Sequence, residues 1–123
     1  MTMTSIEQFC RGFLSGNQEY KHLYDILCEY VATFERIDVH RVFHSKETFT
    51  TSFPTICSTV LRLRGTDSSY VLAILGFVLH VHAQCKNLQW YDVELMLVLL
   101  VKILTSINFN PAQYCKCNTC YIL

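Results

Sequence analysis

The sequence predicts an all-α fold, a single bundle wrapped around a central hydrophobic helix hairpin. Three observations carry that expectation. Apolar residues recur at i, i+3, i+4 and i+7 along most of the chain, the period of one helix face. Runs of β-branched residues in strict alternation and hairpin dipeptides are missing, so no strand is expected. Two segments, 68–84 and 90–107, are apolar on nearly every side, and such helices belong in the middle of a protein.

The elements follow in order. Ile6, Phe9, Cys10, Phe13 and Leu14 form one stripe; Thr4 or Ser5 caps that helix, with Glu7 or Gln8 three residues on as capping-box partner, and Gly16 ends it. Tyr20, Leu23, Tyr24, Leu27, Val31 and Phe34 mark a second helix from about 18 to 36. A short turn of helix carries Val39, Val42 and Phe43. Phe53, Ile56, Cys57, Val60 and Leu61 predict a helix starting near Ser52, with Pro54 tolerated in its first turn. Gly65 stops it, and Thr66 or Asp67 caps the next. The two apolar helices come after, the second with Asp92 and Glu94 in its first turn, where the helix dipole favours acidic groups. Asn110-Pro111 reads as N-cap and N1 of a short final helix.

Composition bounds the function. The 123 residues fit one domain spanning 1–123, and 51% hydrophobic content closes a core without staples. Ten Lys+Arg balance ten Asp+Glu, and charged residues reach only 16%. There is no basic stripe for nucleic acid, and a chain of zero net charge tends to associate. The seven cysteines are an odd number, and Cys10, Cys28, Cys57 and Cys85 lie one per segment among apolar neighbours, as free thiols do in a reduced intracellular protein. The start has no basic n-region, and the longest apolar runs fall far short of the ~18 residues of a membrane span.

No pattern points to catalysis or to a cofactor, so the chain is not expected to be an enzyme. Walker, dinucleotide, His-Glu-x-x-His and Gly-x-Ser-x-Gly motifs are all missing. His80 and His82 stand two apart and face different ways, as do Asp92 and Glu94. His40 and His44, at i and i+4, have no acidic or Cys partner for a metal. Cys115, Cys117 and Cys120 are one ligand short of a structural zinc site. The ending Cys120-Tyr121-Ile122-Leu123 has the C-a-a-X form that makes Cys120 a lipidation candidate, which leaves membrane association open.

The stretch from Val60 through Leu61, Arg64, Gly65, Asp67, Tyr70, Ala73 and Gly76 to Phe77 resembles the first homology region of the Bcl-2 family. There an amphipathic helix ends in a charged-Gly turn and an Asn-Trp-Gly-Arg segment opens the central helix. Gly65, Leu61, Ala73 and Phe77 fall where that pattern wants them. Phe34-Glu35-Arg36 and Val42 resemble the end of the second helix and the third; Trp90 to Ile107 resembles the partner of the central hairpin, and Asn108 to Cys117 a degraded second homology region. The likeness covers residues 20–115. Asp67-Ser68-Ser69-Tyr70 replaces Asn-Trp-Gly-Arg, so the arginine that pairs with an aspartate of the bound helix has become Tyr70. Such an ion pair is worth ~1–3 kcal/mol, and its loss narrows the ligand range unless Arg64 substitutes. The family's C-terminal membrane anchor is also missing, as it often is in copies from large DNA viruses.

The resemblance implies a viral inhibitor of apoptosis acting by binding. Its partners are pro-apoptotic Bcl-2 proteins, whose amphipathic death helix lies in a surface groove. The residues carried over by position are Phe34, Val42, Cys57, Val60, Leu61, Arg64, Asp67, Tyr70, Leu72, Ala73 and Phe77. The expected location is the host cytoplasm, reaching the mitochondrial surface through partners. A rival expectation keeps the fold and blocks innate immune signalling through other faces. An open apolar groove on a nearly uncharged chain also predicts a homodimer.

Overall fold

A computed structural model describes residues 5–64 and 69–113, all helix, turn and loop. Six α-helices lie among the described residues: α1 Ser5–Ser15, α2 Lys21–Phe34, α3 Val39–Val42, α4 Lys46–Arg64, α5 Ser69–Cys85 and α6 Val93–Ser106. No strand is present among them. The expected caps at Thr4, Thr66 and Asp67 and the stop at Gly65 lie outside the described residues.

Helix α1 buries Phe9, Cys10, Phe13 and Leu14, the predicted stripe. It ends at Gly16, whose φ of 79° needs a residue without Cβ. Helix α2 starts three residues later than expected. Asn17 accepts a hydrogen bond from the Glu19 N–H and turns residues Gln18–Tyr20 into a 3-10 helix first.

The start of α4 is the largest departure from the expected boundaries. It begins at Lys46, six residues before Ser52, because Ser45 and Thr48 cap it reciprocally. The Thr48 N–H donates to Ser45 Oγ at 3.2 Å, and the Ser45 N–H donates to Thr48 Oγ1 at 3.1 Å. That is a capping box with Thr in the place of Glu. Pro54 therefore lies inside the helix rather than in its first turn. It cannot donate to the Thr50 carbonyl, and Thr50 is exposed to water.

Helix α5 is central. Val71, Ala73 through Val78, His80, Val81 and Cys85 are buried, and α2, α3 and α4 all pack on it. Tyr30 sits over Gly76, the Phe34 ring meets Phe77, and the Ile37 carbonyl lies near His80.

Helix α6 does not form the expected second half of a central hairpin. Its main neighbours are α1 and α4 rather than α5, and Val93 and Val98 are 41% and 49% exposed. The apolar surface of α5 is already covered by α2, α3 and α4, which leaves α6 at the periphery with one side against α1. Asp92 caps α6 by accepting from the Glu94 N–H at 2.9 Å. At its other end Asn108, with φ 56°, closes a Schellman turn in which the Phe109 N–H donates to the Leu104 carbonyl at 3.0 Å. That turn lays Phe109 on Phe9, ring centroids 4.8 Å apart. Asn110 then caps the 3-10 turn Pro111–Gln113 in the expected way, accepting from the Ala112 N–H at 3.1 Å.

Candidate functional site

By burial, the residues carried over as groove positions separate into a buried set, called the floor, and a half-buried set, called the rim. Cys57, Ala73 and Phe77 are 1%, 2% and 1% exposed, so they are core. Phe77 stacks on Phe53 at 5.8 Å and 14°, with Phe34 at 5.2 Å and Phe43 at 6.4 Å around it. Phe34, Val42, Val60, Leu61, Tyr70 and Leu72 are half-buried and pack against that core. They come from the end of α2, α3, the second half of α4 and the first turn of α5, and both α3 and α4 pack on α5. Arg64 closes α4, while its side chain and all of Asp67 lie outside the described residues, as do Cys115, Cys117 and Cys120.

The floor is held by a chain of rings that runs past α4. Phe43 meets Phe49 edge-on at 5.4 Å, and Phe49 touches Trp90 at 5.7 Å and Tyr91 at 5.9 Å. Offset and edge-to-face pairs of this kind each add about 0.5–1.5 kcal/mol beyond area burial. The rings fix where α3 and α4 sit over α5, and so position the rim.

A concavity not foreseen from the sequence lies between the end of α1, α2 and the last turns of α5. It is an open hollow of about 650 Å³, lined by Phe13, Leu14, Tyr24, Cys28, Val31, Leu79 and Ala83, with Glu35, His82 and Lys86 at its polar edges. None of the carried-over residues lines it. Leu79, His82, Ala83 and Lys86 recur at i, i+3, i+4 and i+7, a stripe that was legible in a helix otherwise read as uniformly apolar. The Tyr24 hydroxyl donates to the Phe13 carbonyl at 2.7 Å, tying α2 to the end of α1. Burial raises its pKa to about 12.

The remaining chemistry is structural. Burial lifts the thiols of Cys10 and Cys57 to about 12 and that of Cys85 to about 11, so these three stay protonated and unreactive. No group of three metal-ligating side chains occurs among the described residues. His44 follows the end of α3, so His40 and His44 do not share a helix face. His80 is buried, its Nε2 facing the Ile37 carbonyl at 3.5 Å. Among the described residues no helix is long and apolar enough to cross a membrane.

His82 Nδ1 lies 2.7 Å from the Tyr91 hydroxyl. Burial, and next the charge of Lys86, lowers its pKa from 6.5. The unfolded chain therefore binds this proton more readily than the folded one, and the sign follows by linkage. The stability tied to neutral His82 is complete above 6.5 and is lost as pH falls through that value toward the depressed folded-state pKa. Urea midpoints at about pH 7.5 and 5.5 check this. The wild type should lose more stability on acidification than His82→Gln, and equal losses would contradict the assignment.

Compared with family models, with curated proteins and with solved structures, the chain matches none.

Proposed function

We propose that this chain is a Bcl-2-like viral inhibitor of apoptosis that holds the amphipathic death helix of pro-apoptotic Bcl-2 proteins in a surface groove. The observation that supports the reading is the apolar rim of Phe34, Val42, Val60, Leu61, Tyr70 and Leu72, half-buried over a floor of Cys57, Ala73 and Phe77. Such a surface suits apolar anchors spaced i, i+3/i+4 and i+7 on a ligand helix. Sequestering that helix keeps the infected cell alive. Tyr70 stands where the family's arginine would meet the ligand aspartate, so binding rests on apolar anchors and the range of ligands is narrow.

Calorimetric titration with a panel of death-helix peptides tests the reading. One or a few peptides should bind with submicromolar affinity. Leu72→Glu and Val60→Glu should each weaken binding at least about tenfold, the effect of placing a charge in an apolar contact. Both positions are half-buried, so the variants should stay folded by circular dichroism. Absence of binding across the panel, from a folded protein, would contradict it.

A second reading is that the same fold blocks innate immune signalling through another face. The replacement of the ligand-pairing arginine by Tyr70 favours it, as do the exposed Val93 and Val98 on α6.

A further inference from the structure

The solvent side of α6 carries an unusual order of residues. Glu94, Val98 and Lys102 stand four apart on one face, about 6 Å between neighbours along the axis. Val98 is the most exposed apolar residue of α6, at 49%. Toward α1 the surface dips: one hollow of about 270 Å³ lies between Glu7 and Arg11 of α1 and the row Glu94, Val98 and Lys102, and a second of about 550 Å³ lies between the end of α1 and Val93, Glu94 and Leu97. Arg11 of α1 fixes Glu94 from the side with two contacts, at 3.2 and 3.4 Å.

This pattern is antisymmetric in charge about Val98. We propose that α6 is the homodimer interface, pairing antiparallel with α6 of a second copy about a two-fold axis at Val98. In that register Val98 meets Val98 of the partner subunit. Glu94 meets Lys102 of the partner subunit, and Lys102 meets the partner's Glu94. One surface thus complements itself, as a two-fold interface requires, and its apolar centre lies between two opposite-charge pairs. No other register of an antiparallel pair brings both charges opposite their complements. The interface is separate from the rim around Phe34 and Leu72, so the dimer leaves that surface open. The inference stands whether or not a death helix binds there.

Sedimentation of the full chain at tens of micromolar tests it. The wild type should be a dimer and Val98→Glu a monomer with an unchanged far-ultraviolet circular dichroism spectrum, since the side chain is half exposed. Glu94→Lys alone sets lysines against lysines, and Lys102→Glu alone sets glutamates against glutamates. Each should raise the dimer dissociation constant at least about tenfold. Mixed one to one, the two variants should recover a dimer containing one copy of each. A wild type that is monomeric at this concentration would overturn the proposal, because α6 would then be a surface for something other than its own copy. So would a dimer indifferent to Val98→Glu.

Discussion

Phe77→Ala should destabilise the protein by about 3–5 kcal/mol, the range for truncating a buried phenylalanine. Phe77 is 1% exposed and touches the rings of Phe34, Phe43 and Phe53. Those rings come from α2, from the residue after α3 and from α4, so one truncation loosens three elements against α5. For a domain of this size the thermal midpoint should fall by more than about 10 °C. Phe77→Leu keeps more of the volume and should lose less. A midpoint within about 2 °C of wild type for Phe77→Ala would contradict the packing described. Any loss of peptide binding in this variant follows from the loosened fold. Binding is better probed at Leu72 or Val60, whose side chains are half-buried.

Gly76→Val should have an effect of similar size for the opposite reason. A Cβ at position 76 would lie 2.6 Å from the Tyr30 Cβ and 3.4 Å from its backbone carbon. These atoms belong to the rigid base of α2, so the whole helix has to move. Overpacking typically costs about 1–3 kcal/mol and occasionally more, and a valine adds two methyls to the first clash. Even Gly76→Ala, which gains about 1 kcal/mol of helix propensity, should come out destabilised. Gly12→Ala is the comparison: there the new atom meets the ring edge of Tyr20 at 2.7 Å, the far end of a side chain rather than the base of a helix. Thermal melts should rank Gly76→Val below Gly76→Ala and Gly12→Ala highest. Equal midpoints for the two substitutions at Gly76 would mean that α2 does not lie as close to α5 as described.

Helix identity was legible in the sequence wherever a stripe and its punctuation agreed. Phe9, Cys10, Phe13 and Leu14 with Gly16 define α1, and Asn110 caps where its side chain suggests; Asp92, expected in the first turn of α6, stands before it as the N-cap. The start of α4 was not legible as read, because residues 46–52 are rich in Thr and Ser and poor in apolar residues. The signals were Ser45 with Thr48, and Phe49 extending the stripe of Phe53 backwards by one turn. The position of α6 was not legible either. Val98 and Leu99 are equally apolar, and only the placement of α1 and α4 decides that one faces water while the other is buried. The same ambiguity governs the candidate site. Leu72 and Ala73 are neighbours in a uniformly apolar helix, yet one belongs to the rim and the other to the floor. Composition carries no information on that difference, which arises from how α2 and α4 cover α5.

The most direct test of the helix-binding proposal is to map a bound death-helix peptide onto the chain by amide chemical shifts. A peptide that binds by calorimetry should perturb residues at the end of α2, in α3, in the second half of α4 and in the first turns of α5, around Phe34, Val42, Leu61 and Leu72. Perturbations confined to α6 around Val98, or to the hollow beside Tyr24 and His82, would contradict the account. So would unchanged spectra at saturating peptide.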